Sequence, residues 1–450
     1  MEFFYLNLPC NVVKSYCGAD FYKNPCKKIK KEGFFMKKVR IGVLGGFRGA
    51  SMIKYAKVAE NAELVAVCDK LPEVLEKQKQ LCGEDGITYY DNFEDFIKHD
   101  MDAVVLANYA NQHAPFAIRC MKAGKHVFSE VMPAQNMKEA VELVETVEET
   151  GMIYAYGENY CYMPGPYEMK KLYREGKIGE IEYADCEYIH NCEKLWHTLT
   201  YGERDHWRNH MYATFYCSHS LGPIIHITGL RPVRVTGYEG QRNERGFRVG
   251  HASGQFGMEM VELENGALIR SLHGNLYKDS TWYSIYGSLG RLETVRYDTD
   301  VYNMVKRVFI NADKYDGEYG GINIEDYIPE REMDDVAKDF GHGNSDFYTM
   351  YNFVRRIQGY EDADTIDVYE AMDMFMPGLF AYRSILAGGI PLDIPNLRNK
   401  DERDRWRNDT LCTDKAVAGD QWVPSFSKGE PDIPDEVYEN MKKKWENRNS

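Results

Sequence analysis

Gly45, Gly46 and Gly49 punctuate the chain where the run Val39-Arg40-Ile41-Gly42-Val43-Leu44 ends and a helical pattern begins. The first turn of a helix leaves its backbone N–H groups without intrahelical partners, so such a strand-to-helix turn can bind an anion. Twenty residues after Gly49 a second apolar run, Leu64-Val65-Ala66-Val67-Cys68, ends on Asp69, where a dinucleotide-binding unit needs a carboxylate for the ribose hydroxyls. Turn and acid together predict a nicotinamide site. Gly45, Gly46 and Phe47 would lie along the pyrophosphate and Arg48 would neutralise it from the side, while Asp69 would repel a 2′-phosphate and select NAD over NADP. The glycine pattern is incomplete: counted from Gly45, its second position is Phe47 and its third Ala50.

A second group of chemistry-bearing residues lies further on. His190, His197, His206 and His210 crowd one region, but their spacing matches no zinc pattern, so no metal is expected. Trp196, Trp207 and Arg208 among them read as the rim of a sugar site, with Trp207 and Arg208 as substrate contacts. Cys10, Cys17 and Cys26 lack paired spacing and read as loop thiols. Eleven scattered cysteines, an odd number, fit a reducing cytoplasm better than a disulfide framework.

The elements that must position these groups follow from periodicity. A chain of 450 residues, 44% hydrophobic, has room for two or three domains. Its formal charge of -15 argues against nucleic acid as a partner, and no apolar run is long enough to span a membrane. The expected partners are a small molecule and further copies of the chain. From Val39 onward strands alternate with helices: the run 64–69 follows the first helix, 102–108 follows a helix over 93–99, and 125–130 follows one over 113–124. Ala140, Val141, Leu143, Val144 and Val147 mark a helix over 137–149, with a strand at 152–156. The expected division is an N-terminal extension over 1–35, with Met36 as the natural start, a Rossmann domain over 36–158, a substrate and oligomerisation domain over 159–396, and a tail over 397–450. Strands at 181–190, 233–239, 257–264 and 267–273 predict a large, mostly antiparallel second sheet. The stretch 297–343, acidic and glycine-punctuated, reads as a surface insertion or lid, and the tail as a surface wrap.

The segment Asp102-Ala103-Val104-Val105-Leu106-Ala107-Asn108 with His113, followed by Gly124-Lys125-His126-Val127-Phe128-Ser129-Glu130, resembles the Gfo/Idh/MocA oxidoreductases over roughly residues 37–396. The resemblance implies an N-terminal Rossmann domain and a C-terminal α/β domain with an open antiparallel sheet that often mediates oligomerisation. It adds Asn108, His113 and Glu130 to the expected NAD contacts. Family members commonly follow Gly-Lys-His-Val with Glu-Lys-Pro, whose lysine lies near the reacting hydroxyl. This chain has Glu130-Val131-Met132-Pro133. His219 and Gly229 match a second family landmark, but the usual aspartate four residues before the histidine is Phe215.

Three further segments resemble a narrower branch, the NAD-dependent glycosidases of glycoside hydrolase family 109: Glu158-Asn159-Tyr160-Cys161-Tyr162, Glu187-Tyr188-Ile189-His190-Asn191, and Tyr216-Cys217-Ser218-His219-Ser220-Leu221-Gly222-Pro223. The resemblance implies catalytic roles for Glu158, Tyr188, Tyr216 and His219. Removing a hydride from a sugar C3 needs a base for the hydroxyl proton, and a histidine titrates in the right range. A C3 ketone makes the C2 proton acidic, so Tyr188 as tyrosinate would remove it and expel the C1 substituent. Two other readings share these residues: a sugar or cyclitol dehydrogenase that releases reduced cofactor, and a non-catalytic NAD or sugar sensor.

Overall fold

The computed structural model describes residues 37–296, 305–313 and 322–448. The expected extension and the start at Met36 lie outside the described residues. Six parallel strands form the first sheet: β1 Val39–Leu44, β2 Ala62–Cys68, β3 Thr88–Tyr90, β4 Ala103–Leu106, β5 His126–Ser129 and β6 Tyr154–Tyr156. Their order is β3-β2-β1-β4-β5-β6. Every residue of β4 is buried, as a parallel strand covered by helices on both faces must be. Local signals set the helices between the strands. Asn136 caps Met137–Thr150 by accepting from Glu139 N, and Gly151 ends it at φ 63, where a side chain would be strained. The strand order reverses between β1 and β4, which opens a crevice at their carboxyl ends, the ligand position of such sheets.

The second sheet has nine strands: β7 Ile181–Ile189, β8 Pro232–Glu239, β9 Phe256–Leu263, β10 Leu268–Gly274, β11 Ser280–Gly287, β12 Gly290–Thr294, β13 Val308–Asp313, β14 Ile322–Tyr327 and β15 Leu392–Asp393. They run in the order β14-β13-β12-β11-β7-β10-β9-β8-β15. All pairs are antiparallel except β7 with β10. Along β9 residues alternate between half-buried and buried, so one face is covered and the other meets solvent. The helices Pro164–Arg174, Ser218–Thr228 and Val368–Leu386 supply the buried cover.

The stretch 297–343 differs from its expected role. Its described middle forms β13 and β14, which extend the sheet edge because Val308, Ile310 and Ala312 alternate inward and are buried. Its last residues, Gly341 and His342, reach the central cavity. The tail does wrap the molecule. Arg403, fully buried, makes two hydrogen bonds to Glu148 at 2.8 and 3.0 Å, which ties the tail to a helix of the first sheet. No helix of the described residues is long and apolar enough to cross a membrane.

Behind the second sheet's helices sits a buried charge cluster. His226 lies 2.6 Å from Glu370 and 3.3 Å from Asp364, and Lys170 lies 2.6 Å from the same Asp364. Burial, and Lys170 at 2.7 Å from Nε2, disfavour the imidazolium, but Glu370 and Asp364 outweigh them and push the His226 pKa up to about 9. A group raised in the folded state stabilises fully below its unfolded pKa, about 6.5, and stops doing so as pH rises through about 9. The shift corresponds to about 3 kcal/mol. We expect His226→Gln to melt well below the parent at pH 6, with the gap narrowing as pH passes 9; a gap that stays constant from pH 6 to 10 would show that the charge plays no part.

Candidate active site

The glycine turn is built for close backbone approach. Gly45 sits at φ +96, and a Cβ there would come within 2.3 Å of Ala107 O; a Cβ on Gly49 would meet Gly45 O at 2.5 Å. With no side chains at these points, β1 runs straight into the helix Ala50–Val58, and Gly46, Phe47, Arg48, Ala50 and Ser51 line a cavity of about 730 Å³. This cradle fits the pyrophosphate of a dinucleotide. Asp69 stands at the end of β2, 8% exposed, accepting from Gly46 N at 2.8 Å and Leu71 N at 2.9 Å. Burial raises its pKa and those two N–H groups oppose the rise. Lys70, the neighbouring cation, is engaged by Glu203 at 2.9 Å and lies over the Tyr109 ring at 4.2 Å. The acid at this end disfavours a 2′-phosphate, while the glycine turn in front of it is the part that faces the cavity.

Not every expected cofactor contact faces the cavity. Gly46, Phe47, Arg48 and Glu130 line it, whereas Gly45, Asp69, Asn108 and His113 lie behind its surface. His113 is 1% exposed, its Nδ1 2.9 Å from Met132 O, and burial lowers its pKa to about 4; it braces the loop that carries Glu130. Arg48 is committed to two carboxylates, Glu130 at 2.7 Å and Asp346 at 3.3 Å. Burial works against the Arg48 cation, but both carboxylates hold it charged. Glu130 itself is pushed up to about 7, by burial first, with Arg48 opposing.

The four expected catalytic residues converge. Glu158 follows β6 and caps the short helix Asn159–Tyr162. Its Oε1 lies 2.7 Å from His219 Nδ1, and its side chain is fully buried. Gly222, one turn beyond His219, permits this contact, since a Cβ there would sit 3.0 Å from Glu158 Cγ. With Nδ1 held by the carboxylate, Nε2 is the His219 nitrogen left for chemistry. Tyr283 fixes the backbone by donating to His219 O at 2.5 Å. Tyr188 ends β7, its ring edge-on to His219 at 4.8 Å, and its hydroxyl is 3.1 Å from His190 Nδ1. Tyr216 completes the ring of aromatics, 4.8 Å from His219 and beneath the Arg208 guanidinium at 5.3 Å. Burial raises the Tyr216 pKa and Arg208 opposes the rise.

Of the expected sugar rim, Arg208 and Trp196 line the cavity, while Trp207 stacks behind Tyr216 at 6.3 Å. The family's lysine is absent, and the two residues between Glu130 and Pro133 are apolar and buried, Val131 and Met132; Met132 Sδ accepts from Ser218 Oγ at 3.6 Å. Phe215, in place of the usual aspartate, is 6% exposed and packs on Trp207.

Sequence reasoning missed a second polar centre. Asp346, fully buried, accepts from Asn159 Nδ2 at 2.9 Å and lies 3.0 Å from His342 Nδ1 as well as beside Arg48. Burial would raise its pKa, but His342 and Arg48 hold it well below the carboxylate range. The His342-to-Asp346 spacing of four residues across a helix start was a usable signal. On the cavity wall His273 pairs with Glu259 at 3.5 Å, and burial pushes the histidine down to about 3 and the acid up to about 8, so both are neutral.

Residues 38–158 match the model of the Gfo/Idh/MocA family, described as an oxidoreductase family with an NAD-binding Rossmann fold. A glycosyl hydrolase family 109 protein of Solibacter usitatus is 26% identical over 405 residues, covering 82% of this chain and 89% of the relative. A second, from Phocaeicola vulgatus, is 25% identical over 80% of this chain and 83% of its own length. Among solved structures, an oxidoreductase from Agrobacterium radiobacter in complex with NAD+, L-tartaric acid and magnesium superposes with a TM-score of 0.64 at 16% identity, over 79% of this chain and 98% of that one. The WlbA dehydrogenase from Bordetella pertussis, in complex with NADH and UDP-GlcNAcA, gives 0.61 at 18% identity, over 81% and 99%. The two structures share the fold.

The carboxylate behind His219 generates the prediction here. Glu158→Gln keeps the size of the side chain but removes the charge that favours the imidazolium, so turnover should fall about 100-fold or more with bound NAD retained. Unchanged turnover across the pH profile would remove Glu158 from the machinery.

Proposed function

We propose that this NAD-dependent enzyme of the Gfo/Idh/MocA type is a glycosidase that cleaves its substrate through transient oxidation of the sugar. The observation that carries the reading is a Glu158–His219–Tyr188 set in a chain that has the apolar Val131-Met132 and no lysine between Glu130 and Pro133. The similarity to glycosyl hydrolase family 109 proteins over most of both chains supports it.

When bound, NAD supplies a hydride acceptor for a ring carbon and returns that hydride at the end. His219 Nε2 takes the proton of the C3 hydroxyl, and Glu158 stabilises the imidazolium that results. Tyr188 then takes the C2 proton made acidic by the C3 carbonyl, the C1–O electron pair leaves with the aglycone oxygen, and that oxygen takes a proton from solvent, which the water adding at C1 gives back. A free tyrosine has a pKa of about 10, so Tyr188 needs help to ionise. His190, 3.1 Å from its hydroxyl, is placed to accept that proton or to stabilise the anion as a cation. Water adds at C1, Tyr188 returns a proton to C2, and His219 reprotonates the C3 oxygen. Tyr216 and Arg208 orient hydroxyls from the wall.

We also propose that copies of the chain associate through the uncovered face of the second sheet, where Tyr238 is 49% exposed, Leu268 44% and Tyr286 41%. The eight described cysteines are free, which supports a cytoplasmic setting.

Aryl glycosides incubated with the protein in deuterated water should release aglycone without added cofactor and leave deuterium at C2. A dehydrogenase would instead consume NAD stoichiometrically and release no aglycone. In the same assay Tyr188→Phe should abolish deuterium incorporation while substrate still reduces some bound NAD, and His219→Ala should slow that reduction about 100-fold or more. Neither aglycone release nor deuterium at C2 from the parent protein across a panel of sugars would falsify the reading.

A further inference from the structure

The end of the cavity near Asp69 is closed by the last described helix. Asp435–Glu446 begins far from the Rossmann domain in sequence, yet Trp445 and Arg448 line the same cavity as Gly46, Phe47, Glu73, Val74 and Gln78. Gly46 and Phe47 form the glycine turn, and Glu73, Val74 and Gln78 belong to the helix Pro72–Cys82 that follows Asp69, the side on which a dinucleotide places its adenosine.

The closure is a set of specific contacts. Arg448 lies over the Trp445 ring at 3.3 Å and reaches Glu73 with Nη2 at 3.5 Å, linking the tail to the helix after β2. Trp445 meets the Tyr201 ring edge-on at 5.2 Å, and Tyr201 in turn meets Phe47 of the glycine turn at 5.8 Å. Gly202 allows this approach, since a Cβ there would lie 2.7 Å from Lys442 Cα and 3.0 Å from Trp445 Cβ. Tyr201 itself holds a left-handed conformation, φ 52, a cost a non-glycine residue bears where the surroundings demand it. A guanidinium on an indole face suits a purine and its phosphates, and the cation nearer the turn, Arg48, is already occupied by Glu130 and Asp346.

We infer that this helix and the residues just after it are part of the cofactor site: Trp445 and Arg448, with Tyr201 packed behind Trp445, clamp the adenosine half of NAD, so the dinucleotide leaves slowly and stays bound from one turnover to the next. The inference rests on the reading of NAD as a catalyst that the reaction regenerates. Slow release is its measurable content, because interface changes act mainly on dissociation.

The full-length protein, gel-filtered and then acid-denatured, should yield close to one NAD per chain by chromatography of the supernatant. Exchange of that NAD against isotope-labelled NAD should be about tenfold faster or more in Arg448→Ala and Trp445→Ala, with less NAD carried through gel filtration. Glu73→Gln loosens the tie from the opposite side without touching the helix, and should speed exchange in the same direction. Melting curves with excess NAD show that each variant is folded. Parent-like exchange in both Arg448→Ala and Glu73→Gln, or exchange by the parent within the mixing time, would overturn the clamp. If retention depends on Arg448 but no glycoside is cleaved, the clamp stands and the glycosidase reading falls; glycoside cleavage with freely exchanging NAD has the opposite meaning.

Discussion

Glu158 and His219 meet at 2.7 Å with no solvent on the carboxylate, and the geometry of the site depends on that contact. The two residues come from different halves of the fold: Glu158 directly follows β6, and His219 opens the helix Ser218–Thr228 that covers the second sheet. A buried carboxylate–imidazole hydrogen bond of this kind is strong where water is excluded and costly where it is incomplete. Its supports are correspondingly specific. Tyr160 N lies 3.3 Å from the same carboxylate oxygen, Tyr283 holds the His219 carbonyl, and Gly222 lets the helix settle on Glu158. The crevice between the halves is thus set by a buried pair rather than by apolar packing alone.

A second pair closes the opposite wall by the same logic. Arg48 leaves the glycine turn and is met by Glu130 from the end of β5 and Asp346 from the start of Ser345–Ile357. Two carboxylates on one guanidinium leave net negative charge, and His342 and Asn159 divide it by contacting Asp346. Glu130, with less help, is raised to about 7. One carboxylate of this trio is thus raised and the other lowered, a difference produced by surroundings and not by residue type.

The strands of both sheets and the segments of the candidate site were legible because their signals are local. β-branched runs ending on glycine or aspartate reported β1 and β2, and alternation along 257–264 reported β9. Glu158, Tyr188, Tyr216 and His219 stood in recognisable segments and are brought together around one ring. The missing parts were those whose meaning lies in three dimensions. Asp346 looked like an ordinary helix-start acid, and only folding sets it against Arg48, 298 positions away. The edge strands β13 and β14 were obscured by the acidic, glycine-punctuated residues around them, although Val308, Ile310 and Ala312 carried the alternation. Trp207 read as a sugar contact from its type, yet its ring is spent supporting Tyr216. An aromatic near a site serves as wall or as buttress according to which side of its neighbour it occupies, and sequence distance does not encode that.

With the family's lysine absent, the apolar Val131 and Met132 stand between Glu130 and Pro133. In the proposed reaction the charge that develops as the C3 hydroxyl gives up its proton would fall on the His219–Glu158 pair, whose imidazolium can form and discharge with little movement. The proton at C2 would be handled separately by Tyr188 with His190, on the strand side of the same ring of aromatics, so in the proposed reaction oxidation and elimination would each have an acid–base pair of their own, built on one shared aromatic wall.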